Sequence, residues 1–185
     1  MRYEIPAYSQ YLDVKNRAWK RRSCGIVALK MAMDYYEPRR AAIRSIPRLI
    51  KKGMRMHAYV RNVGWSHRGL AHIAETYSFR GKNYDWWKET PRRALTKLNR
   101  YLGNGPVLAS VYRDLRPNAH GHLVVIAGLE KGTIYYYNPD SRTKSRIARH
   151  ASLKKFLRGW KRRIIVIRPP SRTLRRVSSR LHGKK

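Results

Sequence analysis

The chain has 185 residues, 42% of them hydrophobic and thirteen of them tyrosine: enough for one domain with a real core, and too apolar for a disordered polymer. No run of eighteen apolar residues occurs, and the start, MRYEIPAYSQYLDVKN, lacks an apolar stretch, so neither a transmembrane helix nor a signal peptide is expected. A single cysteine excludes an internal disulfide and a Cys-rich zinc site, while 43 Lys and Arg against 10 Asp and Glu give a formal charge of +33.

A field of that sign attracts nucleic acid, anionic lipid surfaces or acidic cell-wall polymers. The basic residues are spread along the whole chain, which equally fits a general bias toward basic residues. The absence of a signal peptide fits a cytoplasmic protein and an exported mature form alike.

In chain order, residues 24–37 read as a helix, with Ile26, Val27, Met31 and Tyr35 near a 3.6-residue period and Pro38 closing it. Residues 40–50 suggest a weaker helix, interrupted by Pro47 and ended by Gly53. Ser66 is placed to cap a helix carrying Leu70, Ile73 and Ala74. Thr90 and Pro91 suit another helix start, and Gly103 its exit. After Pro106 the period changes. Residues 107–113, 122–129, 133–138 and 163–168 are rich in β-branched and aromatic residues and read as strands. ASLKKFLRGW, before the last of them, is a short helix candidate. The expectation is an α+β domain over residues 1–168, helices first and then a mostly antiparallel sheet, followed by a basic tail, 169–185.

Cys24 opens the first of these helices behind Lys20, Arg21 and Arg22. The helix dipole and the cations both favour thiolate, the nucleophilic form. Gly25 would let the backbone approach a substrate closely. The alternative is a buried structural cysteine. A nucleophile needs a base, and the base an orienting group. Of seven histidines, His122 stands out, because it opens the apolar strand HLVVIAGL and shares a face with Val124 and Ile126.

The following hairpin supplies a geometric test. With a three-residue loop, Glu130-Lys131-Gly132, Leu129 pairs with Thr133 and Asn138 lies opposite Val124. Asn138 and His122 are then one diagonal step apart on one face, roughly 7–8 Å between backbones. A two-residue loop would turn Asn138 away. Asp140 is the rival orienter, directly opposite His122 in the first register, but Pro139 should bend the chain before it. Attack on a carbonyl also needs oxyanion donors: the Cys24 N–H is one, and Gln10 in YSQYLD offers a side-chain amide.

His67 and His72 are five apart and miss a shared helical face, and His120 and His122 lack a third ligand, so no metal is expected. No phosphate loop or dinucleotide fingerprint appears, so no cofactor is expected either. Asp85-Trp86-Trp87 reads as packing.

Four segments, IPAYSQY, WKRRSCGIVALKMAMDYY, GHLVVIAGLEKGTIYYYNPDS and FLRGWKRRIIVIRP, together resemble stand-alone papain-like cysteine peptidase domains, relatives of the bacteriocin-processing, double-glycine-leader peptidases. The resemblance covers residues 5–169 in the same order. GWSHRGLA resembles a segment that would place Trp65 and His67 near the cleft. The resemblance implies a papain-like fold, with Cys24 as nucleophile, His122 as general base and Gln10 as oxyanion-hole glutamine. Asn138 falls where the family usually has the Asp of an Asp-Pro pair. Here the run is Asn-Pro-Asp, which leaves Asn138 and Asp140 both open as third member.

Two functions follow. One is a thiol hydrolase, a peptidase acting on a peptide or protein through an acyl-enzyme. The other is a catalytically silent basic protein on the same scaffold that binds nucleic acid or another anionic polymer, independent of sequence and sensitive to salt.

Overall fold

Helix formation begins just before the cysteine. In the computed structural model, which describes residues 2–170, α1 is a single short turn, Arg17–Lys20, and α2 runs from Cys24 to Tyr36. Nearly every α2 residue is buried, including Lys30 and Asp34. That is the pattern of a central helix rather than a surface one.

A tight 3-10 stretch, Pro38–Arg44, leads into α3, Ile46–Arg55. The sequence pattern placed this helix too early. Pro47 sits in its first turn, where a missing N–H costs nothing, so it starts the helix instead of interrupting it. The helix also runs through Gly53 and ends two residues later. A small hairpin of β1 (Tyr59–Val60) and β2 (Gly64–Trp65) precedes α4, His67–Glu75. The Ser66 hydroxyl caps α4 by accepting from Gly69 N–H at 3.1 Å. Thr90 does the same for α5, Pro91–Leu102.

The main sheet has six strands, all antiparallel. They are β3 (Arg80–Asp85), β4 (Val107–Tyr112), β5 (Gly121–Glu130), β6 (Thr133–Tyr137), β7 (Ala148–Ser152) and β8 (Trp160–Arg168), in the order β3-β8-β4-β5-β6-β7. The seven-residue α6, Leu153–Gly159, links β7 to β8. The inner four strands are those the apolar runs mark. The two edge strands, RGKNYD and ARHAS, carry no apolar run, because an edge strand protects itself with polar and charged side chains.

Strand alternation divides the core into two layers. Leu108, Leu123, Val125, Ala127, Ile165 and Ile167 pack with α2, α3 and α4. Ala109, Val124, Ile126, Ile164 and Val166 pack on the opposite face with Ala94 and Leu98 of α5 and Phe156 of α6. The sheet is therefore sandwiched between helices, with α2 held against β5. Trp86 is buried in the second layer, stacked on Tyr101, while its neighbour Trp87 is 55% exposed. The packing expectation thus holds for one tryptophan of the pair. Beyond β8, Pro169 and Pro170 are described. The rest of the expected basic tail, 171–185, lies outside the described residues.

Candidate active site

The hairpin between β5 and β6 corrects one expectation and preserves its consequence. The loop has two residues, Lys131 and Gly132, both with positive φ (45° and 75°), so Glu130 pairs with Thr133. Such a primed turn matches the twist of the strands it joins. By itself it would rotate Asn138 away from His122. A bulge at Ala127 inserts one unpaired residue and shifts the register back, so that Val125 pairs with Tyr137. Asn138 then follows on the side of His122. Two one-residue departures cancel.

The side chains meet accordingly. His122 Nε2–H donates to Asn138 Oδ1 at 2.7 Å, and both residues are buried. The Asp140 N–H also donates to Asn138 Oδ1, at 2.9 Å, which fixes the amide's orientation. With Nε2 occupied, Nδ1 is the ring nitrogen left for the cysteine, and the Cys24 thiol and the His122 ring are hydrogen-bonded. Asp140 does not reach the imidazole by hydrogen bond. Its Oδ2 accepts from Arg113 Nε at 2.6 Å, and its Oδ1 from Gln10 Nε2 at 3.4 Å. Gln10 is buried, its backbone N–H donating to Pro139 O at 2.9 Å. Its Oε1 is buried without a partner.

Burial alone would push the Cys24 thiol up. The hydrogen bond and charge of His122, and the N–H groups of Leu123 and Gly25, outweigh burial and hold it below the ordinary thiol value. Burial likewise would pull His122 down. The hydrogen bond and charge of Cys24, then the bond to Asn138 and the charge of Asp140, raise it above the ordinary imidazole value. Both shifts favour thiolate beside imidazolium. The basic run before Cys24 contributes differently than expected: Arg21 and Arg22 line the groove beside the thiol.

Gly25 also has a different reason for being small. A Cβ there would stand 2.9 Å from Trp65 Cβ, 3.0 Å from Leu70 and 3.2 Å from Leu123. The close approach is made by the chain's own β2, α4 and β5, packed around the start of α2. Trp65 Nε1 donates to Arg22 O at 2.7 Å, which ties the β1–β2 hairpin to the turn ahead of Cys24. Cys24 itself is half-buried and lines an open groove of about 1150 Å³ together with His122, Trp65 and His67. The GWSHRGLA segment therefore does border the groove. Arg113, which holds Asp140, carried no signal in the sequence, since a basic residue after a strand is unremarkable in so basic a chain.

A family model described as the Peptidase_C39 like family matches residues 3–164. The chain belongs to that family. It is a cysteine peptidase of papain-like α+β fold. Three solved structures share the fold. A double glycine motif protease from an AMS/PCAT transporter, in complex with its leader peptide, is 18% identical (TM-score 0.60, covering 91% of this chain and 94% of the other). A C39-like peptidase from Bacillus anthracis is 14% identical (TM-score 0.65, 91% and 96%). The peptidase domain of Streptococcus ComA, a bi-functional ABC transporter, is 18% identical (TM-score 0.58, 81% and 93%). Among curated proteins none matches the sequence. No helix among the described residues is long and apolar enough to cross a membrane.

Proposed function

We propose that Cys24, His122 and Asn138 are the catalytic triad of this peptidase and that its substrate is a peptide or protein. The supporting observation is the imidazole of His122 bridging the Cys24 thiol and, at 2.7 Å, the Asn138 amide oxygen. In this reading Asn138 fixes the tautomer and ring plane without adding a charge. Asp140 acts one step further out, pinned by Arg113.

The Cys24 thiolate attacks the scissile carbonyl carbon. The developing oxyanion is held by the Cys24 N–H at the start of α2 and by Gln10 Nε2. An amide nitrogen has two donors, so Gln10 keeps one for the substrate while the other rests on Asp140. Imidazolium Nδ1–H protonates the leaving amine as the C–N bond breaks. Neutral His122 then takes a proton from water, hydroxide attacks the thioester, and thiolate is released.

Iodoacetamide tests the pair directly. Cys24 is expected to be alkylated at about pH 6 faster than free cysteine, because a free thiol there is almost wholly protonated. His122→Ala should slow the reaction. Labelling of the native protein no faster than free thiol would contradict the triad.

A further inference from the structure

We propose that the groove leading to Cys24 is built to take an acidic peptide segment, so that carboxylates next to the scissile bond select the substrate. The inference rests on the peptidase reading and adds the substrate's chemistry. Six cations line the groove: Arg21, Arg22, Arg61, Arg68, Lys161 and Arg163. Its one lining carboxylate, Asp85, is already paired with Arg163, Nε to Oδ2 at 2.8 Å. Among the described residues, none of the other five cations has a carboxylate within ion-pair distance.

Lys161 carries the argument furthest. Its ammonium lies 3.3 Å from where a Gly121 Cβ would stand, beside the residue preceding His122, and 4.4 Å from the Tyr112 ring centroid. It is half-buried next to another cation, Arg163. A cation drawn partly out of water with a like charge for a neighbour is costly unless something anionic completes it. Among the described residues no carboxylate does so. A substrate carboxylate at that point would, and it would lie one residue from the catalytic base. Between the cations the groove is lined by Trp65, Met54 and Leu123, which gives apolar side chains of an extended peptide something to bury against. Spaced cations and apolar patches along a groove lined by the thiol suit a peptide better than a phosphate backbone.

A protein of such high charge binds any polyanion to some degree, so the test must locate the contact. Fluorescein-labelled twelve-residue peptides, one alternating Glu and Ala and one alternating Lys and Ala, are titrated by anisotropy into the Cys24→Ala protein. Two double variants lose the same charge: Arg61→Glu/Lys161→Glu in the groove, and Lys154→Glu/Lys155→Glu on exposed positions of α6, which are not among its lining residues. The proposal predicts that only the acidic peptide binds, that the groove variant weakens it on the order of tenfold, and that the α6 variant weakens it by less than about threefold. In the unsubstituted protein the acidic peptide should also slow Cys24 alkylation. Equal losses in both variants, or tighter capture of a random DNA duplex than of the acidic peptide, would overturn it. Reactive Cys24 that the acidic peptide fails to protect would sink the substrate class and spare the triad. An unreactive Cys24 would sink the triad, while the anisotropy comparison still decides the groove.

Discussion

Cys24→Ala is expected to lower peptide hydrolysis on the order of 10⁴-fold or more, with the melting temperature nearly unchanged. The large effect follows from chemistry: without sulfur there is no acyl-enzyme, and what remains is binding and any oxyanion stabilisation. The small effect follows from position. Cys24 is half-buried, one of the residues lining the groove, and the first residue of α2. Trimming it leaves no closed cavity, and His122 keeps its bond to Asn138. Cleavage of a quenched fluorescent peptide library, read beside a thermal melt, checks both halves. Residual hydrolysis within about tenfold of the native rate would contradict the triad. A fall in stability of several kcal/mol would instead mark the cysteine as structural.

Arg44→Ala is expected to destabilise the fold by about 3–5 kcal/mol, the usual cost of breaking a buried charge network from one side. Arg44 is fully buried. Its Nε donates to Asp34 Oδ1 at 3.1 Å, Nη1 to Glu37 Oε2 at 3.0 Å and Nη2 to Glu37 O at 2.6 Å. Asp34 also takes Lys30 Nζ at 2.6 Å and the Tyr8 hydroxyl at 3.2 Å. The network grips the last turns of α2, whose other end presents Cys24. Among the described residues, removal of the guanidinium leaves the Glu37 carboxylate with only Arg40, at 3.5 Å. In a domain of this size the melting temperature should drop on the order of 10 °C. A change under about 1 kcal/mol would show that water replaces the guanidinium freely, and that α2 does not depend on it.

The sequence discloses the parts of the molecule that obey strong local rules. The helix opening at Cys24, the caps at Ser66 and Thr90, and the four inner strands all follow from periodicity and capping chemistry. The edge strands β3 and β7 escape it because their pairing is paid for by neighbours, not by their own apolar residues. The hairpin is the instructive case. Lys131-Gly132 forms a two-residue turn, and only the bulge at Ala127 returns Asn138 to His122. A bulge in the apolar run VVIAGL leaves no trace in composition, so the right pairing is legible there only by way of the wrong loop. At the site, His122 and Asn138 lie together on one side of the hairpin, and Cys24, which only the resemblance joined to them, lies beside His122. The Arg113–Asp140–Gln10 chain behind them is not, since it depends on side chains from three separate segments converging. Gly25 is legible as a glycine that must be small, but its reason is internal packing against Trp65 and Leu123.

The most direct test is the pH titration of the thiolate's ultraviolet absorbance, read as the difference between the native protein and Cys24→Ala so that tyrosines cancel. The thiol is held below its ordinary value and the imidazole above its own. Thiolate should therefore already be present below the free-cysteine value of about 8.5, and activity should span a plateau between the two shifted values. In His122→Ala, with burial unopposed by a cationic partner, the thiol should titrate above that of the native protein. Absorbance rising only near the free-cysteine value, and at the same pH in both proteins, would contradict the account.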